Sequence, residues 1–407
     1  MKIGIDGRAA KLYRGTGIGT YTNQLIRSLN NVDFNNNYLI FTPDNPALNN
    51  LNSNFKIEKV DTVVKDNFWD EIRVPNILTN NNMELYHVPQ NGVGLSKNIN
   101  NCKKAITLHD IIPLRMPETV SDRYLKIFND EMPKIIDDCD GIITVSEFSK
   151  QDIFKEFNFP KDKIFVTHLA AEDIYKPMSK CQCKKNIEKK YGIKSDFILY
   201  VGGFSPRKNI IGLIEAFSLL PAPYRKTTKL VITGKKGLSY DNYLKRARDL
   251  KVQNDVIFTG FIPAKDLPYF YNASEMLVYP SFYEGFGLPP IEAMACGTPV
   301  ITSNVTSLPE ICYDSALLIN PNNPDDLSYA IEKVLSDSLL VLAMVKKALT
   351  RSRLFSWENT AISTVKAYEN ILNNWKKWVI KFFLLPTSFI NLKVSLFHKT
   401  LYNHLKI

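Results

Sequence analysis

Apolar residues fall in short unbroken runs along most of the chain, and the stretches between them carry helical spacing. The first series reads KIGI at the start, YLIFT near Tyr38, ELYHV near Leu85, KAITLHD near Ile106 and GIITVS near Ile143. A second series reads FILYVGG near Ile198, KLVITG near Val231, DVIFTG near Ile257, MLVYPS near Val278 and TPVITS near Val300. These runs are rich in Ile, Val, Tyr and Phe and end in Gly, Ser, Asp or Pro, so they predict strands. Uninterrupted apolar strands separated by helices belong to parallel sheets covered on both faces. Two such series with a break between them predict an α/β protein of two doubly wound, Rossmann-like domains. A single eight-unit barrel would not require the break.

The break falls where AAEDIYKPMSKCQCKKNIEKK is polar, basic and without strand periodicity. The resulting division is a first domain over 1–172, a linker over 173–190 and a second domain over 191–355. Helical spacing resumes from Asp325 to Leu335 and again in SWENTAISTVKAYENIL, which predicts a helix over 356–374. Asn-rich stretches such as NNVDFNNN read as surface loops.

Composition adds little to the fold but narrows the function. The chain has 407 residues, 45% hydrophobic and 23% charged, which excludes disorder and coiled coil and allows two or three domains. Its net charge of +10 is uneven: the last 37 residues hold six lysines and no acidic residue. A nucleic-acid protein would carry its basic stripe on the main domain, so no nucleic-acid partner is expected. The tail over 375–407 mixes Trp, Phe and Leu with Lys and is broken at Pro386, which suits an amphipathic segment lying on an anionic membrane surface. Packing of the tail across the two domains is the other reading. The start, MKIGIDGRAA, reads as a strand rather than a signal peptide, and WVIKFFLLPTSFI is interrupted by Lys381 and Pro386, so no spanning helix is predicted. Six cysteines without zinc spacing suit a reducing, cytoplasmic setting and no metal site.

The segment most loaded with chemistry is YPSFYEGFGLPPIEAMACGTPVITS. A strand ends at Ser281, a loop holds Gly285 and Gly287, and Pro289 and Pro290 fit the first turn of a helix, where a missing N–H is tolerated. A helix start of this kind attracts phosphate. Glu284 and Glu292 flank it and are suited to accept hydrogen bonds from sugar and ribose hydroxyls, a combination that calls for a nucleotide sugar. By spacing alone, two solvated carboxylates and a plain turn fit as well. Arg207 and Lys208 follow a strand and could clamp a pyrophosphate at the sheet's ligand edge. His109 closes the run KKAITLHD at the carboxyl edge of a strand, where it is either structural or faces the crevice. Gly15, Gly17 and Gly19 precede a helical pattern from about Thr20 to Leu29, but they come too late after the first strand for a nicotinamide fingerprint, which excludes a dehydrogenase.

These segments resemble the E-x7-E signature of retaining glycosyltransferases with the GT-B fold, glycosyltransferase family four, and the resemblance extends to about residue 372. VGGFSPRKN, LVITGKKG, VIFTGFIP, YEGFGLPPIEAMACGTPV and SNVTSLPE carry it in order, with GTGIGTYT, ITLHDIIPL, VSEFSK and FSWENTA. It implies that Arg207 and Lys208 grip the diphosphate and that Glu284 and His109 hold the donor sugar. Glu292 would bind the ribose, and Phe261 and Ile262 would face the base. The loop Gly285, Phe286, Gly287 and Leu288 would cradle phosphate, and Gly17 and Gly19 would form a flexible loop that approaches the donor phosphate or acceptor. Asp6, Arg8, Asn91 and Asp110 are placed, more weakly, on the acceptor side. The helix over 356–374 corresponds to the family's crossover helix. ITLHDIIPLRMPE resembles members that transfer mannose in surface-polysaccharide assembly, so the implied reaction is metal-independent, retaining hexose transfer. The donor would be a nucleotide diphosphate sugar, GDP-mannose foremost, with no cofactor, and the acceptor a glycan or lipid-linked precursor. The alternatives are another donor sugar (rhamnose, glucose or N-acetylhexosamine) and a non-catalytic nucleotide-sugar-binding protein of the same fold.

Overall fold

The computed structural model describes residues 1–13, 15–43, 48, 50–59, 81–95, 102–237 and 239–383. The first strand series forms a parallel sheet of seven, with strands β1 (Lys2–Asp6), β2 (Asn37–Thr42), β3 (Phe55–Lys59), β4 (Leu85–Val88), β5 (Lys103–Thr107), β6 (Gly141–Thr144) and β7 (Ile164–Val166). Their order is β3-β2-β1-β4-β5-β6-β7. The second series forms a parallel sheet of six: β8 (Asp196–Val201), β9 (Thr228–Thr233), β10 (Val256–Gly260), β11 (Met276–Tyr279), β12 (Val300–Ser303) and β13 (Leu317–Ile319). Their order is β10-β9-β8-β11-β12-β13.

All ten predicted strands form. The patterning missed β3, β7 and β13, which lie at sheet edges and are short or only partly buried. An edge strand covered on one side lacks the unbroken apolar run on which the prediction rested. In both sheets the order reverses at a central pair, β1 beside β4 and β8 beside β11. In an open parallel sheet that reversal leaves a crevice at the carboxyl ends of the two strands, where ligands bind.

Two connections depart from expectation. Within the segment read as a linker, residues from Lys180 fold as a helix, Lys180–Tyr191. Ser179 caps it, accepting from the Gln182 N–H, and Gly192 ends it in the left-handed conformation. Its Tyr191 packs edge to face on Phe270, 5.0 Å between ring centres, and donates to Asp266 at 2.7 Å, so this helix belongs to the packing of the second half. Cys183 is buried on this helix and Cys181 exposed, and neither forms a disulfide. The last helix runs Trp357–Phe383, past the expected end at 374. It leaves the second half and lies on the first. The Tyr368 hydroxyl and His87 Nδ1 share a hydrogen bond at 2.7 Å, and Thr360 donates to the carbonyl of His168. The tail beyond Phe383, with Pro386, lies outside the described residues.

Candidate active site

His109, Asp110, Arg207, Lys208, Glu284 and Gly285, all singled out in the sequence, meet where the carboxyl edges of the two sheets face each other. After β8 a single turn of 3₁₀ helix, Pro206–Lys208, ends at Asn209, which adopts the left-handed conformation and caps the following helix by accepting from the Gly212 N–H at 3.2 Å. This turn brings Arg207 and Lys208 to the end of β11. There Glu284 lies buried, its Oε1 2.9 Å from Arg207 Nη1 and 2.5 Å from Lys208 Nζ. Tyr279 adds a third donor to the same oxygen at 3.0 Å, and Arg207 also donates to the Tyr283 carbonyl at 2.8 Å.

Burial opposes the charge on Glu284, but Arg207 and Lys208 together outweigh it and hold the carboxyl down at about 2. Burial and the neighbouring Arg207 lower Lys208 to about 8. Burial works against Arg207 as well, and Glu284 keeps it above its ordinary value. The cluster therefore holds Arg207, Lys208 and Glu284 away from bulk water, and Asp110 acts on both cations. Glu284, expected to bind sugar hydroxyls, pairs with both cations through one carboxylate oxygen.

The Leu288–Cys296 helix starts beside this cluster. Gly287 precedes it with φ 109°, a conformation that an L side chain adopts only with strain, and prolines fill its first turn as predicted. The Gly17–Val32 helix of the first half begins opposite. Its N-cap Thr16 accepts from the Gly19 N–H at 3.2 Å. Gly17 and Gly19, expected in a loop, lie inside the first turn of that helix, because Thr16 supplies the cap one turn earlier than the apolar spacing suggested. A methyl group on Gly17 would stand 3.8 Å from Leu288 Cδ1. Two helix N-termini thus approach one another, and both macrodipoles favour an anion between them.

Glu292 lies in the second turn of the Leu288–Cys296 helix and accepts from the Tyr271 hydroxyl at 2.6 Å. Burial raises its carboxyl to about 7. Ile262 is buried and Phe261 is 63% exposed, so of the two Phe261 presents its side chain at the surface.

His109 sits across the seam. Its Nε2 donates to the Pro89 carbonyl at 3.0 Å, which leaves Nδ1 as the acceptor nitrogen, and burial lowers its pKa to about 4. Tyr21 packs against the ring, edge to face at 4.8 Å. Asn91, with φ 53°, accepts the His109 backbone N–H at 3.0 Å. Asp110 caps the turn after it by accepting from the Ile112 N–H at 3.1 Å, and burial raises its carboxyl. Asp6 and Arg8 form a buried ion pair with each other, Arg8 Nε to Asp6 Oδ1 2.7 Å.

The two halves also touch through Ser146, Ser149 and Glu310, to which the sequence assigned no role. Ser146 donates to the Gly285 carbonyl at 2.7 Å, and Ser149 donates to the same oxygen at 3.1 Å. A methyl group on Gly285 would lie 2.4 Å from the His109 carbonyl oxygen, so only glycine permits this approach. Glu310 accepts from the Glu147 and Phe148 N–H groups at 2.9 and 3.0 Å, capping a helix of the other half, and His168 Nε2 lies 2.8 Å from it. Ser146 and Glu310 stood within the motifs VSEFSK and SNVTSLPE, but nothing in either motif indicated that they meet across a seam.

Among the described residues no group of three or more His, Cys, Asp or Glu side chains could hold a metal ion. No described helix is long and apolar enough to cross a membrane.

This pairing of sheets and site has counterparts among known proteins. Residues 15–171 match glycosyltransferase family 4, and residues 184–351 match glycosyl transferases group 1. The chain is 38% identical over 263 residues to O-antigen chain mannosyltransferase B of Escherichia coli, covering 65% of this chain and 69% of that one. It is 32% identical over 280 residues to the serotype-specific mannosyltransferase WbdA of Escherichia coli, covering 68% of this chain and 34% of the larger protein. The sucrose-phosphate synthase of Thermosynechococcus elongatus superposes on 92% of this chain with a TM-score of 0.73 at 20% identity. The chain belongs to the group 1, family 4 glycosyltransferases and has the GT-B fold.

Proposed function

We propose that this glycosyltransferase moves a hexose, mannose foremost, from GDP-mannose to a glycan or lipid-linked acceptor in surface-polysaccharide synthesis, with retention of anomeric configuration. The observation that carries the reading is the buried Arg207–Lys208–Glu284 cluster beside two facing helix N-termini. The mannosyltransferases among its relatives support the choice of sugar.

An incoming diphosphate replaces the Glu284 carboxylate as the anion between Arg207 and Lys208, and Glu284 turns to the sugar hydroxyls. Glu292 holds the ribose and Phe261 the base. As the bond between the anomeric carbon and the diphosphate oxygen breaks, negative charge builds on that oxygen, and the guanidinium, ammonium and backbone N–H groups stabilise it. The acceptor hydroxyl attacks the same face of the sugar, and the departing phosphate oxygen takes its proton. His109, neutral above about pH 4, accepts a hydrogen bond from the sugar through Nδ1 without adding charge. The positive charge that stabilises the leaving group comes from the protein, so no metal is required. The enzyme works in the cytoplasm, with the basic tail over 375–407 drawing it to an anionic membrane surface. Truncation after Asn373 should lower binding to anionic liposomes, and unchanged binding would dismiss that role.

Calorimetric titration with GDP-, UDP- and dTDP-sugars, followed by NMR of the product's anomeric proton, tests the proposal. Tightest binding of GDP-mannose with an α-linked product is expected. Preference for another donor favours the rhamnose, glucose or N-acetylhexosamine reading, and binding without turnover favours a non-catalytic protein.

A further inference from the structure

Tyr21 lies in the Gly17–Val32 helix, and its ring packs edge to face on the His109 imidazole, 4.8 Å between centres. A chain of side chains runs from it across the first sheet to the last helix. The Tyr21 hydroxyl and Thr107 Oγ1, at the end of β5, share a hydrogen bond at 2.9 Å. Thr107 Oγ1 and His87 Nε2, on β4, share another at 2.7 Å. His87 Nδ1 and the Tyr368 hydroxyl of the Trp357–Phe383 helix complete the chain at 2.7 Å. None of the four side chains is accessible to solvent. Trp357, the first residue of the same helix, also lies against Tyr21, with ring centres 6.3 Å apart.

Four polar side chains in a core cost stability unless each is bonded, and apolar groups of the same shape would anchor the helix as firmly. What a fully bonded chain adds is direction, because it specifies one arrangement of its members. Burial lowers His87 to about 3, so the ring is neutral and carries one N–H and one lone pair. It donates to one neighbouring hydroxyl and accepts from the other, and losing either neighbour leaves it unpaired. His109 is the group that needs direction. Its bond from Nε2 to the Pro89 carbonyl fixes one atom of the ring. The packing of Tyr21, at 90° between the rings, fixes the plane, and with it the direction in which Nδ1 points.

We propose that Tyr21 is a positioning residue for His109, held in place through Thr107 and His87 by Tyr368, so that the seating of the last helix on the first half sets how His109 meets the donor sugar. The proposal deepens the transferase reading and rests on the role given there to His109.

The test uses the full chain with isotope-labelled histidine. The His109 ring signals are assigned by their loss in His109→Ala. Tyr368→Phe removes only the hydroxyl at the far end of the chain, and the His109 signals should move even so. Donor consumption is then measured with whichever of GDP-mannose, UDP-glucose and dTDP-rhamnose the wild type consumes, well below the melting temperature of each variant. In Tyr368→Phe kcat should fall about tenfold while KM for the donor stays within about twofold, since the diphosphate contacts are untouched and only the aim of His109 changes. Thr107→Val should match Tyr368→Phe, and Thr107→Ser, which keeps the hydroxyl, should restore kcat to within about threefold of wild type. His109 signals that stay in place in Tyr368→Phe, a kcat unchanged in that variant although His109→Ala is impaired, or a Thr107→Ser as slow as Thr107→Val would each overturn the proposal. A change in melting temperature alone, with kcat intact, would reduce the chain to a structural role. A wild type that consumes no donor, or a His109→Ala as fast as wild type, refutes instead the reading on which the proposal rests.

Discussion

Replacing Glu284 by Gln removes the carboxylate that pairs directly with two buried cations. The carboxyl sits at about 2 in the folded protein against an ordinary 4.5. A tenfold change in proton affinity between folded and unfolded chains corresponds to about 1.4 kcal/mol, so at neutral pH the ionised carboxylate contributes about 3 kcal/mol. That agrees with the about 3–5 kcal/mol expected when a buried ion pair loses one partner. Because the folded value is depressed, the contribution is complete above pH 4.5 and is lost as pH falls from there toward 2. At pH 3 only about 1 kcal/mol should remain. A domain the size of the second half loses about 2–4 °C of melting temperature per kcal/mol, so Glu284→Gln should melt about 6–12 °C below wild type at pH 7. At pH 3 the gap should shrink to about a third. Differential scanning calorimetry at both pH values measures it. Inorganic pyrophosphate should raise the melting temperature of the variant more than that of wild type, since it supplies the missing anion. Equal melting temperatures at pH 7, or a gap that does not narrow at pH 3, would refute the claim that the cluster is held by this ionisation.

Glu292 should behave in the opposite sense. Its folded value of about 7 lies above the ordinary one, so it destabilises progressively as pH rises from 4.5 to 7, and Glu292→Gln should melt above wild type at pH 8 while binding nucleotide more weakly. A lower melting temperature for that variant at pH 8 would count against the assignment. Gly285→Ala forces a methyl group against the His109 carbonyl, so the halves must part. Overpacking of about 1–3 kcal/mol and at least a tenfold loss of transfer are expected, with a larger radius of gyration by X-ray scattering. Tyr368→Phe leaves His87 Nδ1 without its partner, and a loss of about 1–3 kcal/mol should appear in chemical denaturation.

Individual residues show how far the sequence could be read. Arg207, Lys208, Glu284 and Glu292 were recognisable because each lies in a short segment whose strand, glycine loop and helix start are locally encoded. The starting turn at Leu288 follows from two prolines and a glycine, and it formed where expected. The helix start at Gly17 was placed too late because the cap, Thr16, stands outside the apolar period. That the Glu284 carboxylate would close on both cations could not be read, since they lie far from it in the chain and meet it only when β8 and β11 pair. The cross-seam bonds of Ser146 and Glu310 and the Tyr271 bond to Glu292 carry no local signal, because the partners belong to other elements.

By itself the sequence determined two parallel sheets, the elements at their carboxyl edges and the chemical inventory of the cleft. Hydrophobic period, caps and turn residues act within about a dozen positions, and those quantities are local. Tertiary structure alone decided which charges cancel, that His109 keeps Nδ1 as its acceptor and that glycine is required at 285. Each of these depends on distances of about 3 Å between residues far apart in the chain, and on the loss of water around them, which no linear pattern records.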